Sequence, residues 1–295
     1  MNLKRSLQFL SILPVYSLLL TITSCEKFSG DQTVPSYLAI DSMYLTTAYA
    51  TQGSASHNIT DAWIYIDGTL IGAFEMPFHQ VPALYKGEQR VKIFPGIKKN
   101  GIASTRVIYP FYAPVEKTCI LTEDSILDLN VLKTTYTTNT EFLFLEDFEG
   151  VSIALDTTIR SEVGISLSDP GSPMTFEGNH SGLVIMDSAR TFFECMSVPD
   201  FLIPAAPVFM ELNFRSNNLL TVGTYIYTYS GIYQVPILNL NPTNDRWKKI
   251  YIDLTVTLNS YSGATNFRIY FGTYQEDDID QAAIAFDNIK VLTLK

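Results

Sequence analysis

Residues 224–230 read TYIYTYS, and strand geometry puts Tyr225, Tyr227 and Tyr229 on one face with Thr224, Ile226 and Thr228 on the other. Tyrosines at this spacing can stack on the flat faces of sugar rings while their hydroxyls hydrogen-bond, which makes the three the candidate ligand-binding residues. The same row could instead pack into a sandwich interior. The Thr-Ile-Thr face is a weak core face, and this favours tyrosines turned inward. Other chemistry-bearing residues are sparse. His57, His79 and His180 have no histidine or cysteine at i+2 or i+4 to complete a metal pair. GNHSG (178–182) has the outline of a nucleophile elbow but carries His180 where the serine must stand. No P-loop, GxGxxG or HExxH occurs. Glycoside hydrolysis needs two facing carboxylates, and among 30 acidic residues no pattern singles out a pair. The expectation is a binding protein, not an enzyme, with no catalytic residue to name.

The cysteines separate by context. Cys119 and Cys195 lie far apart, with no CxxC and no histidine nearby, so they are read as free thiols in different domains and not as a disulfide or metal site. Cys25 is different. Lys4 and Arg5 precede an apolar, acid-free stretch from Leu7 to Ile22, the order of a secretory signal peptide. The stretch is interrupted by Pro14 and Ser17 and falls short of the roughly 20 apolar residues of a membrane-spanning helix. Ile22-Thr23-Ser24-Cys25 resembles the bacterial lipobox. That resemblance implies cleavage after residue 24 and lipid on the Cys25 sulfur and its new amino group, a membrane anchor worth ~0.8 kcal/mol per buried methylene.

Removing residues 1–24 takes away two of the 20 basic residues and none of the 30 acids, so the net charge moves from −10 to −12. An acidic chain without a Lys/Arg cluster is a poor partner for nucleic acid or anionic lipid. Plentiful Tyr, Phe, Thr and Val, with only 17% charged residues, describe a β-rich chain. No helical apolar period follows the signal segment.

Residues 25–36 read as a lipidated tether, polar and carrying Gly30 and Pro35. DAWIYIDGTLIGAFEMP (61–77) is a hairpin pattern whose Asp67-Gly68 suits a type I′ turn. With VPAL and KGEQRVKIFPG after it, the stretch resembles PEGA-like and related immunoglobulin-like β modules, which implies a spacer or interaction platform. Residues 37–137 are therefore expected to form one β-sandwich. TTYTTNTE (134–141) reads as a linker. From FLFLEDFEG (142–150) to AIAFDNIKVLTLK (283–295) runs a series of strand-like segments bounded by Gly, Asn or Pro. Their order resembles jelly-roll, carbohydrate-binding-module-like and galactose-binding-like sandwiches, so 138–295 is expected to be a second sandwich. In that family a structural calcium often sits where the first and last strands meet. The resemblance places the metal ligands at Glu149 (or Asp147) and Asp287, with the EDDID loop (276–280) near by; the alternative is that these acids cap turns.

DSM (41–43), DSI (124–126), DTT (156–158) and DSA (187–189) resemble the Bacteroidetes O-glycosylation signal, an Asp followed by Ser or Thr and then a small or apolar residue or Thr. Together with the lipobox and the two sandwiches, the chain resembles a Bacteroidetes-type envelope lipoprotein. The fold class expected is all-β, two antiparallel sandwiches (immunoglobulin-like, then jelly-roll) behind a cleaved lipoprotein signal peptide. The function expected is a lipid-anchored outer-membrane binding protein of the cell envelope with a glycan partner. The competing class is a structural or assembly lipoprotein that docks another envelope protein. Surface-export signals of that group are acid-rich after the cysteine, whereas CEKFSGD carries only Glu26 and Asp31, so the side of the membrane stays open.

Overall fold

Alternating apolar and polar residues become strands along the whole chain in the computed structural model, which describes residues 34–295. The signal segment, Cys25 and residues 25–33 of the tether lie outside the described residues. Among the described residues no helix is long and apolar enough to cross a membrane.

The first domain holds β1 (Ser36–Ile40), β2 (Ser42–Thr46), the one-turn α1 (Tyr49–Gln52), β3 (Asp61–Ile66), β4 (Thr69–Glu75), β5 (Phe78–Ala83), β6 (Gly87–Lys98), β7 (Arg106–Ile108), β8 (Val115–Leu121), β9 (Ile126–Asp128) and β10 (Val131–Thr135). One layer is the antiparallel sheet β4-β3-β6, extended by β7 and β8 on β6. The other is built from β5-β1-β9 and β10-β2. In β3, Ala62, Ile64 and Ile66 point into the core against Val91 and Ile93, as period two requires. Asp67 and Gly68 turn the β3–β4 hairpin with φ of 46° and 83°, the two positive values of a type I′ turn. The expectation of wholly antiparallel sheets fails at one place. β1 pairs with β9, and β2 with β10, in parallel. Such pairs need a long crossover, which here is the rest of the domain, because its entering and leaving strands lie side by side.

The second domain holds β11 (Thr140–Glu146), β12 (Leu155–Thr157), β13 (Ser166–Leu167), β14 (Gly182–Asp187), β15 (Phe192–Ser197), β16 (Phe201–Leu202), β17 (Phe209–Ser216), β18 (Leu220–Thr228), β19 (Gly231–Leu240), β20 (Lys248–Asp253), the one-turn α2 (Thr255–Asn259), β21 (Ala264–Tyr274) and β22 (Gln281–Leu294). Two antiparallel sheets face each other in a jelly-roll-like sandwich. One has the order β13-β14-β22-β17-β20 with β11 on β22, the other β12-β15-β21-β18-β19 with β16 on β21. Phe193, Val222, Ile226 and Phe271 of the second sheet meet Val184, Leu212, Ile284 and Phe286 of the first. Each such side chain contributes about 1.5–3 kcal/mol by leaving water. Cys195 is buried in this core and Cys119 half-buried in the other domain; both are free.

The join between domains at 134–141, expected as a polar linker, is exposed at Thr135, Thr138, Asn139 and Glu141 but not throughout. Thr134, Tyr136 and Thr140 are buried there. Their polarity is absorbed locally: the Thr134 hydroxyl donates to Ala113 O and that of Thr140 to Phe111 O. Around them Leu45, Ile97, Tyr109, Phe111, Tyr112 and Tyr136 pack on Phe209, Tyr251 and Leu292 in one apolar cluster shared by both domains. Inside it Glu211, fully buried, accepts hydrogen bonds from the hydroxyls of Tyr109 (2.9 Å) and Tyr136 (3.0 Å) and pairs with Lys249 (3.0 Å). Lys290 donates to Ser54 O and the Tyr136 hydroxyl. Burial pulls the Lys290 ammonium down to about 7, partly offset by the Glu211 charge.

Candidate functional site

The outer face of the β12-β15-β21-β18-β19 sheet is not a plain polar surface. Cross-strand register aligns Phe192 with Tyr274, Glu194 with Gly272, Gly272 with Thr221, Tyr270 with Gly223, and Tyr225 with Gln234. Phe192, Glu194, Thr221, Gln234, Tyr270, Gly272 and Tyr274, with Arg160 from the loop after β12 and with Glu276 and Asp277, line a groove of about 670 Å³. Its floor is kept low by small residues. A Cβ on Gly223 would lie 2.5 Å from Tyr270 Cε1 and 2.3 Å from Val235 O, so only glycine lets the Tyr270 ring lie down on the sheet.

At the centre stands Glu194, 1% exposed. Its carboxylate accepts from Thr158 Oγ1 (2.8 Å), Tyr225 OH (2.9 Å), Gln234 Nε2 (2.6 Å) and the Arg160 guanidinium. Burial pushes Glu194 upward, but the Arg160 ion pair and the other three donors outweigh it and hold it below the usual carboxylate range. Conversely, burial and the Glu194 carboxylate raise both Tyr225 and Tyr270 to about 12. Arg160 also donates to Gln234 Oε1 (2.8 Å) and lies over the Phe192 ring at 5.9 Å. Phe192 stacks on Tyr274 with ring centres 4.5 Å apart, and Tyr274 is 69% exposed. The groove thus offers an aromatic pair beside a fixed polar network in which Arg160, more than half exposed, engages only one guanidinium nitrogen. A carboxylate ionised and pinned by four donors is suited to holding hydroxyls and arginine in place; it lacks the raised affinity for a proton that a general acid needs.

The tyrosine row of β18 is divided by this geometry. Ile226 and Thr224 face the core, both fully buried, and the tyrosines face outward, against the inward packing that the weak Thr-Ile-Thr face favours. The physical reason is that Ile226 finds a ring of large partners inside, and the Thr224 methyl is tolerated there although its hydroxyl has no partner. Tyr225 leans into the Glu194 network and stacks on Tyr270 at 5.2 Å. Tyr227 lies beneath the Arg268 guanidinium at 6.0 Å. Tyr229 occupies the β18–β19 turn, exposed and apart from both. Of the three, Tyr225 alone joins the groove network. Glu276 and Asp277 of the EDDID loop lie in the groove and not beside Asp287. The other groove residues carry no signal of their own in the sequence, although RIYFGTY (268–274) already alternates Arg268, Tyr270, Gly272 and Tyr274 outward with Ile269 and Phe271 inward.

Scans of the sequence against protein families and against characterised proteins find no match. Solved structures give likenesses over about half of the chain. The CBM22-2 xylan-binding domain from Paenibacillus barcinonensis Xyn10C is 16% identical, covers 52% of this chain and 99% of its own, and has a TM-score of 0.36. A variant of the family 29 carbohydrate-binding module CBM29-2 is 10% identical over 52% of this chain and 84% of its own, with a TM-score of 0.33. TmCBM61 in complex with beta-1,4-galactotriose is 10% identical over 46% of this chain and 85% of its own, at 0.30. At scores of this size, function has to be read from this chain's own residues.

The pair expected to hold calcium belongs to the other sheet, Asp287 in β22 and Glu149 just after β11. Glu149 accepts from Asn179 N, Asn179 Nδ2 and His180 N, so its carboxylate caps the 178–180 turn. Asp287 accepts from Ser181 Oγ (2.6 Å) and Asn288 N (2.7 Å) and is fully buried. Burial, with the Glu177 charge adding to it, raises Asp287 to about 7. Glu177 Oε1 and both side-chain atoms of Asn288 are buried without a protein partner. Among the described residues no group of three or more His, Cys, Asp or Glu is arranged to hold a metal ion. The oxygens that fit a hard cation are those of Asp287, Glu177 and Asn288 more than those of Glu149, which already serve N–H donors.

Proposed function

We propose that the protein is a lipid-anchored binding protein of the bacterial cell envelope whose outer-sheet groove holds a neutral oligosaccharide. The observation that carries this reading is the stack of the exposed Tyr274 on the half-buried Phe192, standing beside the Arg160–Glu194–Gln234 network. An aromatic face takes the C–H face of a sugar ring, and fixed charged hydrogen-bonding groups beside it take the hydroxyls. The test is a glycan array on the purified protein, followed by affinity measurement with Tyr274→Ala. Tyr274 is exposed, so its truncation should move stability by only about ±0.5 kcal/mol. Affinity should fall about tenfold, equivalent to about 1.4 kcal/mol. An empty array, or a Tyr274→Ala variant that binds as tightly, removes the groove reading and leaves docking to another envelope protein as the better account.

The anchor is the second part of the proposal and rests on the lipobox alone. Cys25→Ala should abolish incorporation of a palmitate analogue into the protein; unchanged label would remove the anchor. A calcium ion on Asp287, Glu177 and Asn288 completes the reading as a structural ion, neutralising buried carboxylates where the 178–181 turn meets the last strand.

A further inference from the structure

The second large concavity, about 810 Å³, lies where the domains meet and shares none of the groove's lining residues. Residues 56–58 and the 100–102 turn form one wall, and Asn213, Asn239 and Trp247 form the other. The walls are locked together. Asn100 N–H donates to Tyr251 O (2.8 Å), Asp253 N–H donates to Asn100 Oδ1 (2.8 Å), and Lys99 pairs with Asp253 at 3.1 Å. Asn58 donates through its N–H to the Tyr251 hydroxyl and through Nδ2 to Lys249 O. The cleft is therefore preformed.

What these bonds leave over decides the ligand. Asn58 keeps its amide oxygen, Asn100 keeps its amide nitrogen, and Asn239, whose Oδ1 accepts from Thr221, keeps its nitrogen as well. Asn213, 2% exposed, lines the cleft with a buried Oδ1 that no donor meets. Buried acceptors without a partner are rare in folded proteins. Hydroxyl groups, which donate and accept at once, satisfy this mixture better than an ion of either sign. Trp247 already donates its indole N–H to Pro173 O (3.2 Å), which leaves the ring face as what it offers, with Phe176 5.3 Å away. In a chain with 30 acidic residues, no Asp or Glu lines the cleft. Lys248 does line it, exposed and in no ion pair among the described residues, while its neighbour Lys249 is held by Glu211.

We infer that this cleft is a second carbohydrate site, for a sugar unit bearing a carboxylate: amides for the hydroxyls, the indole face for the ring and Lys248 for the acid. Its lining is distinct from that of the groove, which includes Glu194, Glu276 and Asp277, although the two touch where Asn239 accepts from the groove residue Thr221. The full-length protein should be titrated with oligogalacturonate, oligoglucuronate and alginate oligomers, and with cello-oligosaccharide as the uncharged control. Tryptophan emission is the readout, since Trp247 is one of only two tryptophans. At least one acidic probe should give a saturable change that weakens with salt. Lys248→Ala should weaken it about tenfold, Trp247→Phe should remove the signal, and Tyr274→Ala should leave it unchanged. No saturable change with any acidic probe, equal affinity for the uncharged control, or an unaltered affinity in Lys248→Ala would each overturn the inference. Loss of the signal in Tyr274→Ala would reassign the binding to the groove.

Discussion

Asp287 shows how one side chain carries both a cost and a use. Its carboxyl titrates near 7 in the folded protein against 3.8 ordinarily, because it is buried and faces the Glu177 charge. The folded state therefore binds a proton that the unfolded chain has released between these values, and stability falls as pH rises from about 4 to about 7. Above that window the penalty is complete. A cation on Asp287, Glu177 and Asn288 would cancel it. With calcium removed by a chelator, the melting temperature should drop across this window. Calcium at about 100 times its Kd should restore ~2.7 kcal/mol above it, a gain of several degrees for a protein of this size. A melting temperature indifferent to chelator and calcium at neutral pH would show that no ion binds there.

At the level of strands, legibility followed locality. The β3–β4 hairpin could be read because Asp67-Gly68 states its own backbone conformation and the flanking runs alternate. The facing of β18 could not, because it depends on neighbours that are remote in sequence. Ile226 finds Phe267 and other core residues inside, whereas Tyr225 finds Glu194 and Tyr270 outside, and neither set is near it in sequence. The groove needed the same long-range knowledge: Arg160, Glu194, Gln234 and Tyr274 come from four separate segments that only the β15-β21-β18-β19 register brings together. Gly223 is legible only afterwards, as the absence of a side chain under Tyr270. The 134–141 stretch was legible only in part: Thr135, Thr138 and Asn139 do face solvent, whereas the hydroxyls of Thr134 and Thr140 meet backbone carbonyls inside the interface.

Across the whole molecule, the shared aromatic cluster and the bonds from Tyr109 to Glu211 and from Lys290 to Ser54 O tie the two domains together, and they should unfold as one unit. Separating the domains would leave the Glu211–Lys249 pair within the second domain, but it would take the Tyr109 hydroxyl donor from Glu211 and the Ser54 O acceptor from Lys290, and would bare Tyr109, Phe209 and Tyr251. Calorimetry of the intact protein should give a single transition, and limited proteolysis should spare 134–141. Two resolved transitions, or early cleavage in that stretch, would show that the halves are independent. The side-by-side entry and exit of the first domain has a mechanical consequence. β2 and β10 run parallel over five paired residues, so tension applied between the start of one and the end of the other loads their hydrogen bonds together, in shear. A chain tethered at one end and gripped at the other would resist unzipping, because no single bond in that ladder can be peeled before its neighbours.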